Sequence, residues 1–137
     1  MPKSSRRGAK LWKPEPDEHD YPAAMDYLTL LVPPAIARRL VEELQTADTL
    51  HRKAKDLLRA SELPLLPADN PHVKSDLSKI KRAQQLSPIL LVRGDAQGGN
   101  RRLIVADGYH RICASYLTDE NADIPCRIVD LRPGGDA

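Results

Sequence analysis

Leu103-Ile104-Val105-Ala106-Asp107-Gly108-Tyr109-His110-Arg111-Ile112-Cys113-Ala114-Ser115-Tyr116-Leu117 is the stretch whose reading decides the fold. Leu103-Ile104-Val105 is a short apolar run of the kind that forms a buried strand, expected over 102–106. Beyond the glycine the period changes. Ile112, Cys113, Tyr116 and Leu117 recur at helical spacing, which predicts a helix from His110 to about Leu117. Gly108 stands between strand and helix, where its missing Cβ lets the backbone approach a ligand closely. The first turn of a helix has free N–H groups and a partial positive charge. A strand, a glycine turn and a helix in that order therefore make an anion site suited to phosphate.

Outward from this unit, Ile89-Leu90-Leu91-Val92 predicts a strand within 88–93. Gly94-Asp95-Ala96-Gln97-Gly98-Gly99-Asn100 is turn chemistry joining it to the next strand. Ile124 to Leu131 reads as a final strand, closed by Pro133-Gly134-Gly135. Leu63-Pro64-Leu65-Leu66-Pro67 is extended, because residues before proline avoid the helical region. Asp69-Asn70-Pro71 supplies helix-start chemistry for Val73, Leu77 and Ile80, a short helix to about Gln84. Further upstream Pro33-Pro34 opens a helix carrying Ile36, Leu40, Val41 and Leu44. Leu50, Ala54, Leu57 and Leu58 continue the stripe, as one long helix or as two broken near Thr46-Ala47-Asp48. The expected class is α+β: a small mixed sheet with short helices, preceded by a long N-terminal helix or helix pair. The chain divides into a disordered tail (1–24), an N-terminal helical segment (25–62) and the sheet-bearing domain (63–132).

A chain of 137 residues can bury roughly two-thirds of its unfolded surface in one core. With no Phe and 4% aromatic residues, that core must be Leu, Ile, Val and Ala. A net charge of +2 with 29% charged residues is a mixed surface and gives no general argument for nucleic acid. Lys3, Arg6, Arg7, Lys10 and Lys13 precede any acid, so the arm either touches phosphates or is a solvated tail. Trp12 in this polar stretch docks on the domain or on a partner. Cys113 and Cys126 form no metal-ligand spacing and read as buried free thiols, which suits a reducing cytoplasm. No apolar run approaches a membrane span, and no apolar segment follows the basic N-terminus as in a secretory leader.

At the turn itself, His110 and Arg111 add donors, and arginine grips phosphate with two parallel hydrogen bonds. A plainer reading stays open beside this one. Asp107 would cap the helix, Gly108 would only turn the chain, and His110 would be a core histidine.

From Leu63 to Val129, about half the chain, the order of these motifs resembles the ParB/sulfiredoxin-like superfamily. The matching features are Leu63-Pro64-Leu65-Leu66-Pro67, Asn70-Pro71-His72-Val73, Ser87-Pro88-Ile89 leading into a strand, the glycine turn, and Ile124-Pro125. ParB-type domains have a similar Gly-Glu-Arg-Arg turn, and sulfiredoxins have Gly-Gly-Cys-His-Arg where this chain has Asp107-Gly108-Tyr109-His110-Arg111. The resemblance implies that Gly108, Tyr109, His110 and Arg111 hold nucleotide phosphates. It also implies that Ser75 and His72, aligned through Val73 and Ile80 on a sulfiredoxin Ser and Lys, join them. Lys74 or Lys79 would restore the charge lost where His72 replaces that Lys. Tyr109 stands in place of the reactive cysteine, so sulfiredoxin chemistry is not expected. Asp107 is similar to the acid in the Asp-Gly-His turn of related free-serine kinases, which implies Mg²⁺ binding or general-base catalysis by Asp107, with His110 beside it.

The expectation drawn from all this is a nucleotide-binding domain for ATP or another nucleotide, with Mg²⁺. It would be a nucleotide hydrolase or small-molecule kinase if it turns substrate over. Two readings from other classes stand beside it. One is a DNA-associated partition or nuclease-like module that binds phosphates non-specifically. ParB-type partition proteins carry a helix-turn-helix after this domain, for which the residues beyond 131 leave no space, so such binding would be salt-sensitive. The other is a non-catalytic interaction domain using the helices of 33–60. Homo-oligomerisation is left open.

Overall fold

The computed structural model describes residues 11–94 and 102–132. In chain order these form α1 (Asp20–Leu28), α2 (Pro34–Thr46), β1 (Leu50–Lys53), α3 (Ala54–Ser61) and α4 (Pro71–Lys81). Then come β2 (Ile89–Arg93), β3 (Ile104–Asp107), α5 (Tyr109–Thr118) and β4 (Asp123–Asp130). The four strands make one sheet in the order β1-β4-β2-β3. β2 runs parallel to β4, whereas β1 pairs with β4 and β3 with β2 in antiparallel fashion. The fold is thus α+β with a mixed sheet and short helices, as expected.

The unbroken apolar run of β2 has a clear cause. Ile89 and Leu91 belong to one core cluster and Leu90 and Val92 to another, all fully buried. A strand buried on both faces cannot alternate apolar with polar. One face is covered by α3 and α5, with Ala54, Leu57 and Ile112 packed on Val105, Ile124 and Cys126. The other is covered by α1 and α2, whose Ala24, Leu28, Ala37, Leu40 and Leu44 meet Ile104, Ala106 and Val129. Helix α4 lies behind α5, through Val73 against Cys113 and Ala114. Both cysteines are buried free thiols, as the sequence predicts.

Local chemistry sets the helix limits. Pro34 occupies the first turn of α2. Asn70 caps α4, its side-chain oxygen accepting from the N–H groups of His72 (3.0 Å) and Val73 (3.2 Å). The α2 C-terminus is held by Arg127 of β4, a buried residue whose Nη1 donates to the Leu44 and Gln45 carbonyls at 3.1 and 2.9 Å. These satisfy orphan acceptors of the last turn.

Two expectations are corrected. Residues 50–53 are an edge strand and not helix: Leu50 pairs with Cys126 and Lys53 with Asp123. The open edge of β4 offers a ladder that local helical spacing cannot reveal. The tail expected to be disordered over 1–24 is ordered from residue 11, and its last residues begin α1. Trp12, only 6% exposed, lies in the same cluster as Ile89 and Leu91. Its neighbours bond to the segment before β2, Lys13 N to the Leu86 carbonyl at 2.8 Å and Leu86 N to the Leu11 carbonyl at 2.9 Å. One aromatic side chain and this backbone pairing supply what the polar composition lacks. Residues 1–10, with most of the basic arm, 95–101, with most of the expected turn, and 133–137, with Pro133-Gly134-Gly135, lie outside the described residues.

Candidate functional site

Strand β3 ends at Asp107, and its register with β2 slips between Leu90 and Leu91, a β-bulge beside the turn. Gly108 follows with φ of +116°, a conformation that side chains disfavour. A Cβ there would lie 2.5 Å from Ile89 Cδ1 and 2.8 Å from Arg111 Nη2. Glycine is therefore demanded twice, by the backbone and by the packing of the Arg111 guanidinium over it. Gly108 is the residue before α5 and offers no side-chain cap to its first turn. Asp107 does not cap the helix either, because its carboxylate turns to Arg111.

The sequence assigned Arg111 to a ligand, but the fold commits much of it internally. Its Nη2 donates to Asp107 Oδ2 at 2.8 Å and, more weakly, to the Pro88 carbonyl at 3.4 Å. Its Nη1 faces Asp20 Oδ1 at 3.7 Å. Its Nε is buried and has no hydrogen-bond partner among the described residues. Asp20 comes from the segment expected to be disordered, so the sequence offered no sign of it. It is 2% exposed and accepts from Ser87 Oγ at 2.6 Å and from Asp17 N at 3.1 Å. Burial pushes the Asp107 carboxyl above the usual carboxylate range, Arg111 opposes this, and the neighbouring Asp20 carboxylate raises it further. Asp17 is held below its usual value chiefly by its hydrogen bond from Lys13, at 2.8 Å.

The outer side of the turn carries the two imidazoles. His110, on the first turn of α5, and His72, on the first turn of α4, lie with ring centroids 4.7 Å apart. Burial, then His72, pushes the His110 imidazole below its ordinary value, with Arg111 acting in the same sense and Asp76 against it. Asp76 was not singled out from the sequence. It is 9% exposed, raised by burial, and lies in the field of Lys79, Arg111, His110 and His72. Lys79 Nζ is 4.0 Å from its carboxylate. Tyr109 points elsewhere, donating its hydroxyl to the Pro64 carbonyl at 2.5 Å, which fixes the extended 63–67 segment to α5.

The structure thus brings Asp107, Gly108, His110, Arg111 and His72 around one helix start, while Lys79 reaches the Asp76 carboxylate beside them. Ser75 is exposed on α4, and its side chain bonds to none of this group. Asp17, His19 and Asp20 each bring a ligand atom to within 4.8 Å of the others, and Asp20 joins this acidic group to Asp107 through Arg111. A cavity of about 790 Å³ opens elsewhere, between α3 and α5, lined by Leu58, Leu63, Pro64 and Tyr116 among others and by none of the expected site residues. On the helices of 33–60, Arg39 pairs with Glu43 and Arg59 with Asp56. Among the described residues no helix is long and apolar enough to cross a membrane. No family model, curated protein or solved structure matches the chain, so what this site does must be read from its own geometry.

Proposed function

We propose that the chain is a phosphate-recognising domain of the ParB/sulfiredoxin kind that binds a nucleotide at the start of α5. One observation carries the reading: the first turn of α5, without a side-chain cap, begins beside Arg111, whose buried Nε–H has no acceptor among the described residues. A buried donor without a partner costs about 1–3 kcal/mol, and phosphate oxygens supply the acceptors that such a donor and free amides lack. His110 and His72 flank the same turn from two helices, with ring centroids 4.7 Å apart, and in this reading they would meet the outer phosphate oxygens. ATP or another nucleotide, with Mg²⁺ carried on its phosphates, is the ligand class. Asp107 is bound to Arg111, which favours binding over a general-base role for it and leaves turnover outside the proposal.

Thermal-shift and calorimetric titrations with ATP, ADP, CTP and GTP, each with and without Mg²⁺, test the reading. Stabilisation by at least one nucleotide is expected, weakened in His110→Ala and His72→Ala. Arg111→Ala is a poor probe, because it also strands two carboxylates. Failure of all four nucleotides and of inorganic pyrophosphate to bind either the wild-type protein or Asp20→Asn, which removes the carboxylate facing Arg111 Nη1, would remove the proposal.

A further inference from the structure

Residues 11–20 cross from one face of the sheet to the other, over the end where β2 begins and α5 starts. At one end Trp12 is sunk into the cluster of Ile89 and Leu91. At the other, α1 packs Ala24 and Leu28 on the opposite face. Between them Asp20 delivers a buried carboxylate to the cation at the proposed phosphate site. Its contacts are unequal. Ser87 Oγ and Asp17 N hold Oδ2 at 2.6 and 3.1 Å, whereas Oδ1 meets Arg111 Nη1 at 3.7 Å, beyond hydrogen-bond length. Asp107 holds the other side of the guanidinium at 2.8 Å, within a turn. The loose partner is the one carried by the N-terminal segment.

From this geometry we infer that residues 11–20 form a self-inhibitory strap, in which Asp20 stands in for a ligand's phosphate oxygens on Arg111 and must be displaced for phosphate to reach it. The inference rests on the nucleotide-binding reading of the same site. A phosphate brought beside Asp20 and Asp107 meets two carboxylates and one guanidinium, and like charges in a buried place repel strongly. Moving the Asp20 side removes one of those charges and frees Nη1. Because Trp12 anchors the strap, that movement unseats it.

Trp12 is the sole tryptophan, which makes the strap directly observable. Wild-type protein is titrated with inorganic pyrophosphate and with MgATP while its tryptophan emission is followed. Binding accompanied by a red shift, as a buried indole becomes hydrated, is the expected result. Asp20→Asn keeps the shape and the acceptor for Ser87 but removes the charge, and should tighten pyrophosphate binding by about tenfold or more. Glu18→Gln, an equal charge change at an exposed position of the same segment, should leave it unchanged. Binding with unshifted emission and equal affinity in wild type and Asp20→Asn overturns the strap and leaves the phosphate site standing. Binding to Asp20→Asn alone supports the strap strongly. No binding to either protein overturns both.

Discussion

Replacing Arg111 with methionine tests the internal clamp at its centre. The substitution keeps length and apolar volume and removes the charge. It leaves the Asp107 and Asp20 carboxylates facing each other without the cation between them. The side chains of Arg111, Asp107 and Asp20 are 15%, 18% and 3% exposed, so solvent screens the group only weakly. Removing one partner of a buried ion pair costs about 3–5 kcal/mol. The lower end, about 3 kcal/mol, is expected here, because Asp20 keeps Ser87 and the Asp17 amide and Asp107 can take up a proton. The pH dependence has a definite sign. Burial already raises the folded Asp107 pKa above its unfolded value, and loss of Arg111 raises it further. A carboxyl shifted in that direction binds more protons when folded. Its penalty is full above the folded pKa and disappears as pH falls toward the unfolded value of about 3.9. The deficit of Arg111→Met relative to wild type is therefore greatest at neutral pH and shrinks on acidification. Urea unfolding followed by circular dichroism measures this. With a slope of about 2 kcal/mol per molar, the midpoint should drop by about 1.5 M near neutral pH and by progressively less as the pH is lowered toward the unfolded carboxyl value of about 3.9. A loss under about 1 kcal/mol, or the same loss at neutral and acidic pH, refutes the buried clamp.

Other outcomes follow from single contacts. Gly108→Ala should cost about 2–4 kcal/mol, combining left-handed backbone strain with the clash against Ile89 and Arg111, and chemical denaturation would show it. A change of a few tenths would mean that the turn relaxes freely. Trp12→Ala should cost about 3–5 kcal/mol and expose residues 11–19 to protease, whereas an unaltered melting temperature would show that the segment is not docked. Because the free His110 imidazole is held below its ordinary value of 6.5 and an anion favours its protonated form, nucleotide affinity should rise as pH falls through that value. In His110→Ala this rise should be reduced, and an identical pH profile would remove the residue from the site.

Much of the fold was open to a reading of the chain because its signals are local. The double-face burial of β2 wrote itself as Ile89-Leu90-Leu91-Val92, and Asn70-Pro71 marked the start of α4. Helix α5 and strand β4 fall within about a residue of their predicted limits. The elements misread lack such signals. Strand β1 is Leu50-His51-Arg52-Lys53, exposed throughout, and only the free edge of β4 makes it a strand. The segment 11–20 is polar and proline-bearing, and it is ordered by contacts with Leu86 and Ser87, some seventy residues away.

The site divides along the same line. Sequence alone determined that a glycine turn joins a strand to a helix and that Gly108, His110 and Arg111 meet there, since neighbours in the chain must be neighbours in space. Only the tertiary structure decided what Arg111 faces. Asp20 and Ser87 arrive from distant positions, as do His72 and Asp76 from α4, and they decide charge, burial and protonation at the turn. Electrostatics depends on distance through space, which the order of residues along a chain does not specify.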